Sequence, residues 1–342
     1  MILTPLEKSV KFLATLEHQG LVNDVAFRPD GEQLITTSSD RTAKLWDRQG
    51  KLLAVLEHHA TVWGVAFSPD GQYSVTTSAD QTAKIWTGQG QRVTTLEGHQ
   101  FGVKGAAFSP DGSKLVTASY DHTARLWTLQ GQGLATLVGH QGAVNRVEFS
   151  ADGKTVLTAS SDGTARLWAI TGERLATFEG HEARVLGAEF SPDGNKIITS
   201  SRDDTARIWD RQGTQLVTLV HDAPVWTATF SPEGDRILTA SSDQTARLWT
   251  PQGRLLATMA DHEAAIWYAE FNGEGDRIVT AAANKTAGLW NRDGQRLTTL
   301  TGHQAGVIRA KFSPDSQTLV TTSADHTARL WHVQRTRPMT ND

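Results

Sequence analysis

Hydrophobic and polar positions alternate along this chain in short runs that turn residues separate. From Val22 to Phe27, Val25 and Phe27 share one face at a period of two, which is typical of a half-buried strand. Three further runs are rich in strand-forming residues: Leu34 to Thr37, Thr42 to Trp46 and Leu52 to Leu56. Turn residues lie between the runs: Pro29-Asp30-Gly31, Asp40 and Gln49-Gly50. The pattern predicts an antiparallel meander of four strands.

The same unit recurs every 40 or 41 residues. Its clearest marker is a Thr-Ala-(Lys/Arg)-(Leu/Ile)-Trp segment, in which Gly288 replaces the basic residue in the seventh copy. The eight tryptophans are Trp46, Trp86, Trp127, Trp168, Trp209, Trp249, Trp290 and Trp331. A fixed period near 40 indicates one small unit that buries its apolar faces only by stacking on neighbouring copies. Sustained apolar spacing of 3.6 is lacking, so the sequence predicts almost no helix.

Three further residue types keep fixed distances from each tryptophan. A histidine lies 28 residues before it: His18, His58, His99, His140, His181, His221, His262 and His303. A threonine lies 10 residues before it: Thr36, Thr76, Thr117, Thr158, Thr199, Thr239, Thr280 and Thr321. An acidic or amide residue lies 6 residues before it: Asp40, Asp80, Asp121, Asp162, Asp203, Asp243, Asn284 and Asp325. Function must lie in what differs between copies, because these shared residues are committed to the repeat.

The spacing resembles the WD40-repeat family of β-propellers, in its highly regular bacterial variety, over roughly residues 12 to 331. Gly-His pairs that mark the family occur four times, at Gly98-His99, Gly139-His140, Gly180-His181 and Gly302-His303. Trp-Asp pairs occur at Trp46-Asp47 and Trp209-Asp210. The resemblance implies an all-β, eight-bladed propeller with four antiparallel strands per blade. It also implies that each His, Thr, Asp or Asn and Trp quartet is a structural hydrogen-bond network, so we expect no catalytic residues there.

The two ends of the chain are complementary. The last copy ends at Trp331-His332-Val333 without a fourth strand, whereas Phe12 to His18 matches the fourth strand of another copy, Arg174 to His181. We therefore expect the N-terminal segment to complete the last blade and close the ring, which removes open sheet edges. The expected division is an N-terminal extension over 1–11, one propeller over 12–333 and a polar C-terminal tail over 334–342.

Composition excludes several classes of function. The formal charge of −4 and the pI near 6.3 argue against a nucleic-acid binder. The basic residues of the repeat share one strand position, which favours a structural role: Lys44, Lys84, Arg125, Arg166, Arg207, Arg247 and Arg329. Cysteine is absent, so disulfides and thiolate metal sites are excluded. We expect no metal, no cofactor, no signal peptide, no membrane span and a cytoplasmic location.

Three tryptophans lie outside the template, and all three stand five residues after the repeat histidine. In the WD40 family this position, the one two residues earlier and the one before the turn Asp face the wide mouth of the central channel, which is the usual partner-binding face. The candidate partner-binding residues at these positions are Trp63, Trp226, Trp267, Tyr120, Leu186, Ile308, Lys104, Arg184 and Arg202. Trp, Tyr and Arg are enriched at interaction hot spots. The alternative is that these tryptophans only pack between blades.

The favoured function is a non-enzymatic scaffold that binds a partner protein or peptide at the wide face. The resemblance implies a setting at the C-terminal end of a larger signalling protein. Carbohydrate or small-ligand binding through the tryptophan-lined rim is the alternative. Titratable residues on the inner strands show no shared pattern that suggests an enzyme site: Asp24, Glu148, Glu189, Glu270 and Lys311. The seventh copy, with Asn284 and Gly288, diverges most and is either drifting or specialised.

Overall fold

The computed structural model describes residues 10–334, which form 32 β-strands arranged as eight four-stranded sheets. The first strand is β1 (Val10–Glu17). Blade 1 contains β2 (Val22–Phe27), β3 (Gln33–Ser38), β4 (Thr42–Asp47) and β5 (Leu52–Glu57). Blade 2 contains β6 (Val62–Phe67), β7 (Tyr73–Ser78), β8 (Ala83–Thr87) and β9 (Arg92–Leu96). Blade 3 contains β10 (Val103–Phe108), β11 (Lys114–Ser119), β12 (Ala124–Thr128) and β13 (Gly133–Leu137).

Blades 4 to 8 repeat this arrangement. Blade 4 contains β14 (Val144–Phe149), β15 (Thr155–Ser160), β16 (Ala165–Ala169) and β17 (Arg174–Phe178). Blade 5 contains β18 (Val185–Phe190), β19 (Lys196–Ser201), β20 (Thr205–Asp210) and β21 (Gln215–Val220). Blade 6 contains β22 (Val225–Phe230), β23 (Ile237–Ser241), β24 (Ala246–Trp249) and β25 (Leu255–Met259). Blade 7 contains β26 (Ile266–Phe271), β27 (Arg277–Ala282), β28 (Ala287–Asn291) and β29 (Arg296–Leu300), and blade 8 contains β30 (Val307–Phe312), β31 (Thr318–Ser323) and β32 (Thr327–Val333).

The first strand of each blade lines the centre, and the first strands of neighbouring blades contact one another around a complete ring. The predicted eight-bladed, all-β architecture is therefore confirmed. The predicted closure is confirmed as well, because β1 pairs antiparallel with β32 and completes blade 8. Among the described residues this pairing already includes Val10 opposite Val333, whereas the sequence pattern placed the start of the strand at Phe12. Most of the expected 1–11 extension and 334–342 tail lies outside the described residues.

The core is divided among the eight interfaces between blades rather than gathered at one centre. At the closing interface, Leu16 from β1 and Leu330 from β32 pack with Val22, Leu34 and Trp46 of blade 1. Equivalent clusters of buried aliphatic residues and one tryptophan fill the other seven interfaces. A single copy would leave these faces in water, which explains why the unit is repeated.

The turns between the first and second strands of each blade lie at one end of the ring. Gly31, which follows Pro29-Asp30, has a φ of 74°, and its counterparts in blades 2 to 7 are also left-handed glycines. Glycine adopts this conformation without steric cost. In blade 8 the position is Ser316, with a φ of 57°. The loops that carry the repeat His and Asp lie at the opposite end. There the Gln19 main-chain N–H donates to the Asp40 carboxylate, which joins the two loops. We call the channel opening at that end the mouth.

Candidate binding site in the central channel

Every inner strand carries one β-bulge near its mouth end. In blade 2 the antiparallel register shifts between Val62 and Gly64, so Trp63 has no partner across the ladder. The bulge residues of the eight inner strands are Asn23, Trp63, Lys104, Asn145, Leu186, Trp226, Trp267 and Ile308. A bulge frees one side chain from the regular alternation of a strand and re-aims it. A position that varies between copies is therefore also the position that the backbone leaves unpaired.

Two cavities occupy the channel behind the mouth. One measures about 420 Å³ and is lined by Leu186, Trp226, Trp267 and Ile308 among others. The other measures about 630 Å³ and includes Trp63 and Tyr120. The two share five lining residues: Lys104, Asn145, Arg146, Glu189 and Arg309. Both volumes fall in the range that buries a peptide side chain or a small ligand.

The tryptophans of the mouth are only partly buried, and each also makes contacts within the protein. A Cβ atom at Gly102 would lie 2.6 Å from Trp63, and one at Gly306 would lie 2.7 Å from Trp267, so each indole packs on a glycine of the next blade. Trp226 donates its indole N–H to Ser242 Oγ at 2.7 Å. Packing between blades therefore accounts for one side of two indoles, and all three indoles line the channel cavities.

The charged residues predicted for partner binding lie on one sector of the mouth. Lys104 Nζ donates to Asn145 Oδ1 at 3.1 Å and lies 5.5 Å from the ring centroid of Tyr120. Arg202 stacks over Trp226 at 5.3 Å and is exposed, as is Arg184, whose carbonyl accepts the Arg202 main-chain N–H. A cation over an aromatic face is held by the ring quadrupole. The mouth thus combines aromatic and cationic groups.

Below the bulge residues, the channel wall carries charged pairs that the sequence did not reveal. Arg146 Nη2 lies 3.3 Å from Glu189 Oε1. Asp24 Oδ1 lies 3.8 Å from Arg309 Nε and 3.7 Å from Lys311 Nζ. These residues occupy the first and third positions after the bulge in different blades. The residue types at these positions differ from blade to blade, and the packing of neighbouring inner strands brings the charged groups together.

Two carboxyl groups of the channel wall hold their protons unusually tightly. Burial, and then the neighbouring charge of Glu189, raise the pKa of Glu148 to about 8, against the opposing effect of Arg146. Burial also raises the pKa of Glu270, whose Oε2 accepts the Tyr268 hydroxyl at 2.7 Å. Glu148 is therefore largely protonated at neutral pH and adds little negative charge to the channel.

The repeat quartets lie outside the channel, at the outer side of the inner strands. In blade 1 the Trp46 indole N–H donates to Thr36 Oγ1 at 2.8 Å, and Thr36 Oγ1 lies 2.8 Å from His18 Nε2. His18 Nδ1 lies 2.9 Å from Asp40 Oδ2. Burial lowers the pKa of His18, so the ring is neutral, with Nδ1–H donating to Asp40 and Nε2 accepting from Thr36.

Seven of the eight copies share this arrangement of His, Thr, Asp and Trp. Each blade contains one quartet, and the threonine hydroxyl of each quartet takes part in hydrogen bonds with both the histidine and the tryptophan. No quartet lines either of the two channel cavities. We therefore keep the prediction that these residues support the fold.

The comparisons with known proteins agree with the geometry. Residues 61–332 match the family model described as IFT122 first beta-propeller, and residues 10–47 match the one described as WD domain, G-beta repeat. The chain belongs to the WD40-repeat β-propeller family. The crystal structure of the computationally designed Ika8 protein is similar, with a TM-score of 0.84 and 29% identity over 94% of this chain and 99% of that chain.

A curated yeast protein matches over a much shorter stretch. Ribosome assembly protein 4 of Saccharomyces cerevisiae is 52% identical over 46 residues, or 13% of this chain. The match spans 9% of the length of that yeast protein, about one repeat. A match of this length supports the assignment of the repeat unit.

Blade 7 departs from the WD40 pattern at its polar quartet. Asn284 replaces the aspartate and directs its amide nitrogen to the His262 carbonyl instead of accepting from the imidazole. His262 Nε2 still lies 2.6 Å from Thr280 Oγ1, but Nδ1 has only the Thr286 hydroxyl at 3.3 Å. Burial lowers the pKa of His262 to about 4. The substitution affects the quartet and not the channel lining.

Between Val10 and Gln334, no group of three or more His, Asp or Glu side chains is placed to hold a metal ion. No helix in that same part of the chain is long and apolar enough to cross a membrane.

Proposed function

We propose that this protein is a non-enzymatic scaffold that binds a partner protein or peptide at the mouth, the wide face of the propeller. WD40 propellers generally mediate protein–protein interactions, which supports the general class. The observation that carries the specific proposal is the aromatic lining of the mouth. Trp63, Trp226, Trp267 and Tyr120 all line cavities that open there, and Tyr120 is 39% exposed.

The chemistry of the mouth fits a protein ligand. Partly exposed tryptophan and tyrosine supply large apolar contact area at a small cost in side-chain entropy. The cavities beside them can take one or two side chains of an extended segment. We place this interaction in the cytoplasm and in the C-terminal part of a larger signalling protein.

Site-specific photo-crosslinking tests the proposal. A benzoylphenylalanine introduced in place of Tyr120 is expected to capture a partner in native lysate. The same group in place of Lys154, an exposed residue of the turn at the opposite end of blade 4, is expected to capture none. Equal capture from both positions would argue that partners use other surfaces.

Removal of the indoles provides the second arm. A W63A/W226A/W267A variant is expected to lose the captured partner. Because Trp63 and Trp267 also pack on glycines, the single W226A variant is the cleaner comparison, and both variants are checked by thermal melting. If folded W226A and folded triple variant both keep every partner, the mouth is not the binding face.

A small-ligand function is the second candidate, and the 420 Å³ cavity between Trp226 and Trp267 is the observation that favours it. An indole can stack on the apolar face of a sugar ring. A glycan array that gives saturable binding, lost in W226A, together with no captured protein, would replace the scaffold proposal with this one.

A further inference from the structure

The mouth carries positive charge on a chain that is negative overall. The formal charge of the protein is −4. In the described chain from Val10 to Gln334, however, Lys104, Arg184 and Arg202 make no ion pair with any carboxylate. The remaining basic residues that line the two cavities are Arg146, Arg309 and Lys311, and all three are partnered. Unpaired cations gathered on one sector create a local field that attracts an anionic group.

Lys104 is the most informative of these cations because it lines both cavities. An ammonium group has three N–H donors, and the structure gives it one hydrogen bond, to Asn145 Oδ1. Asn145 is held in turn by its amide nitrogen, which donates to the Val185 carbonyl at 2.8 Å and to Ser161 Oγ at 3.0 Å. The acceptor therefore faces Lys104 in a fixed orientation, and two ammonium donors remain for a ligand.

The protein itself does not compensate this charge. Burial lowers the pKa of Lys104, and Arg309, Arg184 and Arg202 lower it further. Among the carboxyl groups that line the same cavities, Glu189 pairs with Arg146, and Asp24 lies beside Arg309 and Lys311. The third, Glu148, is largely protonated because its pKa is raised to about 8. A buried ammonium group without a carboxylate partner raises the free energy of the protein unless a ligand supplies the opposite charge.

We propose that the segment bound at the mouth is acidic, with an Asp, Glu or C-terminal carboxylate that enters the channel and pairs with Lys104. This inference rests on the proposed scaffold function and specifies its ligand. Arg184 and Arg202 lie where they attract further acidic residues of the segment. Trp226, Trp267 and Ile308 receive an apolar side chain next to the carboxylate. The occupant is a peptide and not a nucleic acid, because the net charge of −4 repels a long polyanion.

Two variants separate this proposal from a general aromatic binding face. K104M keeps the length of the side chain and removes the charge, so the fold has less reason to fail than with a truncation. K104E reverses the charge. K154M is the matched control, because it makes the same chemical change at an exposed lysine at the other end of blade 4.

The experiment uses an array of random twelve-residue peptides with the whole 342-residue chain, followed by fluorescence polarisation on the strongest binders. Bound peptides are expected to be enriched in Asp and Glu. K104M is expected to weaken their binding by about 10- to 100-fold, as loss of a buried charge pair does, and K154M by less than about 2-fold. K104E is expected to reverse the enrichment toward Lys and Arg. Raising the salt from 50 to 500 mM is expected to weaken wild-type binding far more than that of K104M.

Each other outcome has a definite meaning. Peptides that bind without acidic enrichment, and equally to K104M, would overturn the acidic segment and leave the scaffold proposal standing. No peptide bound by any variant would overturn both. Calorimetric titration with succinate and with inorganic phosphate forms the last arm. Binding of either ion as tight as that of the best peptide would show a free-anion site and would refute the peptide ligand.

Discussion

Substituting Asp for Asn284 should repair the hydrogen-bond quartet of blade 7. In blade 3, which serves as the reference, His99 Nδ1 lies 2.7 Å from Asp121 Oδ2, and the Gln100 main-chain N–H donates to the same oxygen at 3.0 Å. Neither bond has an equivalent at Asn284, because that amide turns its nitrogen toward the His262 carbonyl. N284D should supply both acceptors at once.

The magnitude follows from bonds of this kind. Burial opposes ionisation of Asp121, yet hydrogen bonds from Thr123, the Gln100 main chain and His99 outweigh it and lower the pKa of that carboxyl to about 2. Hydrogen bonds to a charged group contribute about 1.5–3 kcal/mol each, less the contact that Asn284 gives up and the repulsion from Asp261 and Glu263. We expect a net gain of ~1–2 kcal/mol. For a chain of this length, that raises the melting temperature by about 2 °C.

The assay combines thermal melting at pH 7.5 with a measurement of the His262 pKa by NMR. N284D is expected to raise both quantities, the second because a carboxylate beside the ring favours the imidazolium. The reciprocal variant D121N serves as the control and is expected to lower the melting temperature by a similar or larger amount. If N284D lowers the melting temperature while D121N leaves it unchanged, the quartets do not stabilise the blades in the way described.

Three further predictions follow from burial and charge. L16A should lower the free energy of unfolding by ~2–5 kcal/mol because Leu16 is fully buried at the closing interface. L13A is the control, because Leu13 is 42% exposed, and it should cost under ~0.5 kcal/mol. Equal losses of the two variants in urea unfolding would contradict closure by β1. Burial lowers the pKa of all eight repeat histidines, so below about pH 6.5 the unfolded chain binds more protons than the folded chain and the free energy of unfolding should fall. His262 alone, with its pKa of about 4, accounts for about 2 kcal/mol of this loss at pH 5. A melting temperature that stays constant from pH 7.5 to 5 would refute this. The raised pKa of Glu148 changes stability in the opposite direction, because the folded protein becomes less stable as the pH rises toward the folded-state pKa of about 8. E148Q removes this loss, so it should raise the melting temperature more at pH 9 than at pH 6.

The fold could be predicted from sequence because each copy repeats the same strand and turn signals at one spacing. The strand predicted at Val22–Phe27 has the same bounds in the structure. Closure was also predictable, because Phe12 to His18 carries the missing signal. The bulge at Trp63 could not be read from the sequence, since its residues keep the ordinary alternation of a strand and only the cross-strand register reveals it.

The charged pairs of the channel wall illustrate a second limit of sequence reasoning. Arg146 and Glu189 are 43 residues apart and occupy different positions of their own repeats. A periodic comparison looks for equal positions, so it separates such residues, and the packing of neighbouring inner strands brings them together. The mouth residues were accessible from the sequence because they occupy three fixed positions of the repeat.

The pairing of Val10 with Val333 fixes where the polypeptide enters and leaves the ring. Both points lie at the end that carries the tight turns, remote from Tyr120 and Trp226. An affinity tag or fused domain at either terminus is thus tethered behind the disc, and an immobilised sample presents its aromatic opening to solution. Force applied between the two termini would load β1 and β32 from one end and peel them apart bond by bond, so mechanical opening should begin there.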